Sequence, residues 1–358
     1  MALFQLDFQK PPYQMARKEK DEVLTGQLMT LLKYHRERCP SYARILNACG
    51  FSHAGVTHYR DIPFLPVGLF KRLSLDSLSK DQADYKTVTS SGTSGTQSRI
   101  ILDGETRTLQ QQALAAIGSD FIGKKRVPML VIDCPSTVEK RDHFSARTSG
   151  ILGFSLFARK RIFALREDMS LNEEAVKAFQ EQYGSEPFLI FGFTFLVWKF
   201  CTELQRRNLH LDLSHAVLIH GGGWKKLWEQ RISKEQLKEL LHEVCGVSRV
   251  HDYYGMAEQT GSIFMECACG HLHCSDYSGI LIRRAEDFSL CEKGEKGIIQ
   301  VLSVLPHSYP GHSLLTEDEG ILLGEDDCAC GRKGAYFQVL GRLKNAEIRG
   351  CSDTYAEF

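Results

Sequence analysis

The strongest local signal in the sequence is a run of seven small residues, Ser90-Ser91-Gly92-Thr93-Ser94-Gly95-Thr96. A β-prone segment, residues 85–89, precedes them, and a short apolar segment, residues 100–102, follows. Glycine permits positive φ, so such a loop can point successive N–H groups at an anion, and the hydroxyl groups add donors. The stretch therefore predicts a phosphate-binding loop between strands, with a flexible Ser/Gly loop as the alternative.

Several better-known phosphate and catalytic motifs are missing. The loop lacks the Gly-Lys-Ser/Thr ending of a Walker A motif and does not follow the Gly-x-Ser-x-Gly order of a hydrolase nucleophile elbow. The chain also contains neither His-Glu-x-x-His nor Gly-x-Gly-x-x-Gly. These absences argue against serine hydrolases, zinc peptidases and Rossmann-type enzymes.

Length and composition narrow the class further. The 358 residues allow one large α/β domain or two smaller ones, and 44 basic residues balance 44 acidic ones, so no overall field favours nucleic acid as a partner. Most of the 12 cysteines stand singly in apolar segments, and no export signal is evident, so we expect a reducing, cytoplasmic location. The most apolar window, residues 187–200, is too short to span a bilayer, and no membrane insertion is expected.

Alternating strand and helix signals predict an α/β fold. Residues 127–132 and 216–219 are short apolar runs typical of buried strands. Ser233, followed three residues later by Gln236, forms a capping-box pattern at the start of a helix, and Gly246 suits the end of that helix.

Turn-forming residues and changes in sequence pattern along the chain predict three regions. Residues 1–84 form an N-terminal helical segment, residues 85–340 form the core, and residues 341–358 form a hinge-like tail. Within the core, a helix over residues 171–183 is expected to begin at Ser170.

Four further motifs follow the Ser/Gly loop in a fixed order. They are His220-Gly221-Gly222-Gly223, Asp252-Tyr253-Tyr254-Gly255-Met256-Ala257-Glu258, Leu315-Thr316-Glu317-Asp318-Glu319-Gly320 and Gly341-Arg342-Leu343-Lys344. Together with the loop, they resemble the ordered motifs of the adenylate-forming superfamily of acyl/aryl-CoA synthetases and luciferases. The resemblance implies the large N-terminal domain of that superfamily, with layered sheets and helices, and ATP and Mg²⁺ as its ligands.

The resemblance assigns roles to individual residues. The Ser/Gly loop would bind the phosphates, and the glycine turn, Gly221, Gly222 and Gly223, would lie against adenine. Tyr254, followed by Gly255, would stack on the base, and Glu258 would help to hold Mg²⁺, a usual partner of carboxylate and phosphate oxygens. Ala257 departs from the pattern, which usually has threonine there.

The last two motifs would bind the rest of the nucleotide. Asp318 would hydrogen-bond the ribose hydroxyls, with a solvated acidic turn as the alternative, and Arg342 would contact the nucleotide. Superfamily members continue into a small domain that supplies a catalytic lysine, and we expect that domain to be absent or truncated here. Lys225, Lys226 or Lys344 could replace its lysine.

Length and ending most resemble the LuxE-type acyl-protein synthetases of bacterial luminescence. The resemblance implies that a carboxylic acid, expected to be a long-chain fatty acid, is converted to acyl-AMP and transferred to Cys351 as a thioester for delivery to an acyl reductase. Thiolate is a strong nucleophile, which suits Cys351 to this role. Alternatives are transfer to coenzyme A or a carrier protein, an incidental tail cysteine, or a non-catalytic adaptor.

A second group of residues has the spacing of a metal site. Its candidate ligands are Cys267, Cys269, His271, His273, Cys274, Cys328 and Cys330. Sulfur and imidazole in two knuckles, spanning residues 267–330, indicate a closed tetrahedral zinc site with a structural role. Resemblance to phenylacetate-CoA-ligase-like members favours Cys267, His273, Cys328 and Cys330. Replacement by the other first-knuckle candidates, or an unmetallated cluster, remains open.

An aromatic segment lies where related enzymes bind their acid. Residues 188–198 include four phenylalanines and a tryptophan. Ordinary core is the default interpretation, and the alternative is that Gly192 leaves room for an apolar acid to pass between aromatic rings.

Overall fold

A computed structural model describes residues 3–78, 84–89, 97–139, 146–224 and 230–343. The chain forms two compact units, each built from separate stretches of sequence. Among the described residues, the first comprises residues 3–117 and 255–343, and the second comprises residues 118–254.

The α-helices of the described residues are α1 (Arg17–Arg38), α2 (Pro40–Ala48), α3 (Gly104–Ile122), α4 (Ser136–Glu139), α5 (Ala146–Phe154), α6 (Glu173–Tyr183), α7 (Thr194–Arg206) and α8 (Lys234–Cys245). Among them, no helix has the length and apolar character that a bilayer crossing would need.

The strands of the same residues are β1 (Leu65–Pro66), β2 (Tyr85–Thr89), β3 (Arg99–Asp103), β4 (Val127–Ile132), β5 (Ala158–Phe163), β6 (Phe188–Phe193), β7 (Ala216–Gly221), β8 (Arg249–Tyr254), β9 (Phe264–Glu266), β10 (Leu272–His273), β11 (Ser278–Arg283), β12 (Lys296–Ser303), β13 (Ser313–Glu325) and β14 (Ala335–Arg342). Helices and strands alternate through the middle of the chain, so the expected α/β class is confirmed.

A parallel sheet is the centre of the second unit. Its strands have the order β5-β4-β6-β7-β8, and every neighbouring pair is parallel. Strands β6 and β7 are buried along their whole length, which explains the apolar runs Phe188–Phe193 and 216–219. The predicted strands at residues 127–132 and 216–219 are confirmed as β4 and most of β7.

The first unit contains an antiparallel sheet. The order is β11-β12-β13-β14-β10-β9, and β1 pairs with β13 in parallel. Strands β2 and β3, which flank the Ser/Gly loop in sequence, form a separate antiparallel pair. The loop between them, residues 90–96, lies outside the described residues.

Helix α1 buries one stripe of an otherwise charged sequence. Leu24, Leu28, Leu31 and Leu32 are at most 1% exposed and recur at helical spacing. The helix is therefore held in the first unit by packing rather than by its own propensity.

The two helix-start predictions had different outcomes. The Ser233 side chain accepts a hydrogen bond from the Gln236 N–H and the Gln236 side chain bonds back, while Gly246 ends α8 at φ 72°, so that capping prediction is confirmed. The predicted start at Ser170 is wrong. Asn172 caps α6, because its side chain accepts from Ala175 N, whereas the Ser170 hydroxyl bonds to Asp168.

Candidate active site and metal centre

Two of the three glycines at the carboxyl end of β7 lie too close to aromatic rings to be replaced by a residue with a side chain. A Cβ on Gly221 would lie 2.5 Å from the Tyr253 ring, and one on Gly222, at φ 77°, would lie 3.0 Å from Phe193. Both positions therefore require glycine. Gly223, the third glycine, has open space around it.

The two tyrosines at the end of β8 have different surroundings. The Tyr253 ring lies 5.4 Å from Phe154 and 6.2 Å from Phe191, inside an aromatic cluster. Successive strand residues point to opposite faces, so Tyr254 points away from that cluster. Tyr254 is the residue predicted to stack on adenine, and its position at the strand's end leaves that prediction standing; Gly255 follows it and is exposed.

A polar network joins the carboxyl ends of β6, β7 and β8. Thr194 Oγ1 lies 2.9 Å from His220 Nδ1, and it donates to Gly222 O at 2.8 Å. Asp252 Oδ1 lies 3.8 Å from the same histidine nitrogen, and Lys234 Nζ lies 3.2 Å from Asp252 Oδ2. Thr194 was not predicted as a functional residue, although it is the one hydroxyl-bearing residue within residues 188–198.

Glu258 lies in a short 3₁₀ turn of the first unit and is 1% exposed. Tyr309 donates its hydroxyl to the Glu258 carbonyl at 2.9 Å, and burial raises the pKa of Tyr309, which keeps it a donor. The adjacent Gln259 donates to Val301 O at 3.2 Å and Gly311 O at 2.8 Å. The backbone that carries the predicted Mg²⁺ ligand is thus anchored by buried hydrogen bonds.

Two predicted nucleotide-binding residues meet within the first unit. Asp318 and Arg342 are register partners on β13 and β14, with Arg342 Nε 3.6 Å from Asp318 Oδ1. The same guanidinium lies 3.2 Å from Glu317 Oε2. Residues from separate sequence motifs therefore form one charged group.

Several predicted residues cannot be placed. The loop Ser90–Thr96 and the predicted nucleophile Cys351 lie outside the described residues, as do the alternative lysines Lys225, Lys226 and Lys344.

The four favoured metal ligands come together. The ligand atoms of Cys267, His273, Cys328 and Cys330 all lie within 4.8 Å of one another. Cys330 Sγ is 3.4 Å from His273 Nε2, and Cys267 Sγ is 3.9 Å from Cys328 Sγ. Tetrahedral zinc with ~2.3 Å bonds to sulfur would separate two sulfur ligands by about 3.8 Å, so the spacing fits.

The protonation state of His273 also suits a metal. Burial lowers the pKa of His273 to about 4, which keeps its ring in the neutral, ligating form. Of the alternatives, Cys269 is exposed, whereas His271 Nδ1 lies 3.4 Å from Cys328 Sγ. Three thiols and an imidazole can thus hold one zinc ion, with His271 beside them.

The default interpretation of the aromatic segment, residues 188–198, as core fits the structure, and the alternative, a passage at Gly192, does not. A Cβ there would lie 2.9 Å from Ile132 and 3.0 Å from Val197, so the glycine allows close packing of neighbouring elements. The surrounding segment of β6 is buried core.

Solved structures of similar fold are adenylate-forming ligases. A 2-hydroxyisobutyryl-CoA ligase in complex with 2-HIB-AMP matches with a TM-score of 0.72 at 16% identity, over 95% of this chain and 74% of that one. ATP-bound MatB from Rhodopseudomonas palustris matches with a TM-score of 0.50 at 15% identity, over 74% of this chain and 50% of that one. The chain therefore has the adenylate-forming ligase fold.

Sequence comparison identifies the family. A long-chain-fatty-acid–luciferin-component ligase of Vibrio harveyi is 22% identical over 97% of this chain and 91% of its own length. The family model described as "Acyl-protein synthetase, LuxE" matches residues 2–358. The chain belongs to the LuxE acyl-protein synthetase family and is a ligase, which confirms the predicted resemblance.

Proposed function

We propose that this chain activates a long-chain fatty acid with ATP, forms the acyl-adenylate, and transfers the acyl group to its own Cys351. The thioester is then delivered to an acyl reductase. The observation that carries the proposal is the pairing of Asp318 with Arg342, because two residues predicted from separate motifs to bind one nucleotide lie opposite each other. Membership of the acyl-protein synthetase family supports the same reaction.

In the first half-reaction, a carboxylate oxygen of the acid attacks the α-phosphorus of ATP. The new P–O bond forms as the bond to pyrophosphate breaks, and pyrophosphate leaves. Mg²⁺, held with the help of Glu258, would supply positive charge beside the phosphates. Asp318 hydrogen-bonds the ribose hydroxyls, Arg342 orients the nucleotide, and the Ser/Gly loop donates to phosphate oxygens.

In the second half-reaction, the Cys351 thiolate attacks the acyl carbon. A C–S bond forms, the C–O bond to the phosphate breaks, and AMP leaves with both electrons of that bond. The thiolate is effective even at a small population at neutral pH, since cysteine is intrinsically nucleophilic. The name of the Vibrio harveyi relative supports a long-chain fatty acid as the acyl donor.

We also propose that Cys267, His273, Cys328 and Cys330 bind zinc with a structural role. Four protein ligands leave no open coordination position for substrate or water. The support is the spacing of the ligand atoms, together with the burial of Cys267 and His273, which are 0% exposed. Zinc would tie the loop before β10 to the loop before β14.

Intact-protein mass spectrometry tests the acyl transfer. Wild type, Cys351→Ser and the control Cys49→Ser, which replaces an exposed cysteine, are incubated with ATP, Mg²⁺ and fatty acids of graded length. We expect an acyl adduct on wild type and the control, none on Cys351→Ser, and acid-dependent pyrophosphate release from all three. An adduct that persists in Cys351→Ser would refute that residue as acceptor, and thioester formation only with added coenzyme A would establish the diffusible-thiol alternative.

A further inference from the structure

In the parallel sheet of the second unit, the order in which the chain adds strands reverses between β4 and β6. From β4 the chain proceeds to the edge strand β5, whereas β6, β7 and β8 follow on the other side of β4. In open parallel sheets, ligands bind outside the carboxyl ends of strands beside such a reversal. Thr194 directly follows β6 and opens α7, so it stands at this edge.

Thr194 bonds to the neighbouring strand's turn. Its Oγ1 lies 2.8 Å from Gly222 O and 3.2 Å from Gly221 O, so the hydroxyl faces two successive carbonyls. Thr194 is 7% exposed, which shields these bonds from water. The turn cannot be held by its own side chains, because it has none, and Thr194 supplies the missing constraint.

His220 fixes the direction of these hydrogen bonds. Its Nδ1 lies 2.9 Å from Thr194 Oγ1 and 3.8 Å from Asp252 Oδ1, so two oxygens face the same ring nitrogen. A proton on Nδ1 is donated to Thr194 Oγ1, and the same N–H faces the Asp252 carboxylate, which lies too far away for a hydrogen bond. The threonine hydroxyl then accepts from His220 and donates its single proton to the glycine carbonyls.

We propose that Thr194 is a positioning residue for nucleotide binding, whose hydroxyl holds the Gly221–Gly222 turn in the shape that receives the adenine base. This inference rests on the proposed function, which assigns ATP to the turn. Thr194 acts through the turn and does not touch the reacting atoms. Its loss therefore weakens ATP binding and leaves the chemical step and acid binding unchanged.

The test compares three variants of the full chain. Thr194→Val removes the hydroxyl and keeps the shape, Thr194→Ser keeps the hydroxyl, and Thr202→Val is the control because that hydroxyl bonds only locally, to Lys199 O at 3.0 Å. ATP binding is measured by calorimetry with Mg²⁺, and acid-dependent ATP–pyrophosphate exchange gives KM and kcat. We expect Thr194→Val to raise the Kd and KM for ATP about tenfold, with kcat and the KM for acid unchanged. Thr194→Ser and Thr202→Val should bind ATP like wild type.

Other outcomes overturn the inference or the function separately. Unchanged ATP affinity in Thr194→Val refutes the positioning role, as does an equal loss for ATP and acid. If Thr194→Val fails to fold, Thr194→Ala removes the same hydroxyl, and ATP affinity equal to wild type in that variant also refutes it. Wild type that binds ATP without exchange refutes the proposed function alone, whereas wild type that does not bind ATP refutes both.

Discussion

Asp318 and Arg342 face each other across β13 and β14, with 3.6 Å between the carboxylate oxygen Oδ1 and the guanidinium nitrogen Nε. Both side chains keep partial solvent access, and ion pairs of that kind contribute only ~0–1 kcal/mol to stability. Their pairing therefore matters chiefly for orientation. Arg342 holds the carboxylate in place before a ribose arrives, which reduces the ordering that binding would otherwise require.

Removing the Asp318 carboxylate should weaken ATP binding with little effect on stability. Asp318→Asn keeps the size but changes the hydrogen-bonding capacity, and we expect the KM for ATP to rise by about 10- to 100-fold. The thermal midpoint should stay within about 2 °C of wild type. Pyrophosphate exchange and a melting curve measure the two effects. The matched control is Asp327→Asn, which breaks the exposed Lys293–Asp327 pair of 3.0 Å and should leave the KM unchanged.

The cysteine cluster should contain one zinc ion per chain. We expect elemental analysis to give about one equivalent for wild type and a marked loss for Cys328→Ser, since a thiolate ligand is removed. Because metal binding is linked to folding, the thermal midpoint should fall by about 10 °C or more.

The control for the zinc prediction is Cys269→Ser. That cysteine belongs to the same knuckle but is exposed, and it lies outside the four-ligand group. It should retain zinc and the wild-type midpoint. Loss of zinc in Cys269→Ser, with retention in Cys328→Ser, would show that the ligand set is wrong.

A buried ion pair in the second unit should contribute strongly to stability. Asp133 follows β4 and is 1% exposed, and Arg147 in α5 is 4% exposed. Arg147 Nε donates to Asp133 Oδ2 at 2.9 Å, and a second guanidinium nitrogen binds Oδ1. Breaking such a pair leaves an uncompensated buried charge, so Asp133→Leu should reduce the free energy of unfolding by about 3–5 kcal/mol.

Two comparisons isolate the buried charge as the cause. The double variant Asp133→Leu with Arg147→Met should recover most of the loss, because both charges are gone. Arg159→Ala removes one partner of the exposed Arg159–Glu186 pair and should cost only ~0–1 kcal/mol. Denaturant unfolding measures all three, and a double variant as unstable as the single one would contradict the explanation.

Sequence reasoning succeeded where local pattern or motif order carried the information. Apolar runs located β4 and β7, and the Ser233–Gln236 pair located the start of α8. The knuckle pattern gave the candidate ligands, from which the family resemblance selected the four that the fold brings together. These features need no knowledge of distant contacts.

Features created by packing could not be predicted. Thr194 gains its contacts to the Gly221–Gly222 turn only because β6 and β7 are adjacent, and Asp133 meets Arg147 only through the placement of α5 after β4. The two interpretations of Gly192 stayed open for the same reason, since a glycine that admits a ligand and one that admits neighbouring side chains look alike in sequence.

A stacked histidine pair lies in the core of the first unit. The rings of His35 and His312 are 5.2 Å apart and nearly parallel, and both residues are at most 1% exposed. His35 bonds to Ser77 and to Pro306 O, and His312 lies 3.3 Å from the Tyr42 hydroxyl. Burial lowers the pKa of His35 well below its usual value and that of His312 to about 3. Both rings are therefore neutral in the folded chain at neutral pH.

This pair should make the first unit sensitive to mild acid. The unfolded chain takes up protons on both histidines below pH ~6.5, whereas the folded chain does not until far lower pH, so stability falls as pH decreases through this window. From pH 7.5 to 5.0 His312 should account for a loss of ~2 kcal/mol in the free energy of unfolding, and His35 should add to the loss in the same direction. His312→Phe, which keeps an aromatic ring in the stack, should lose ~2 kcal/mol less over this range than wild type does, whatever its stability at pH 7.5. His215→Gln, at an exposed position, is the control and should keep the wild-type slope. Urea unfolding at both pH values decides the matter, and an unchanged slope in His312→Phe would exclude this histidine as a source of the acid sensitivity.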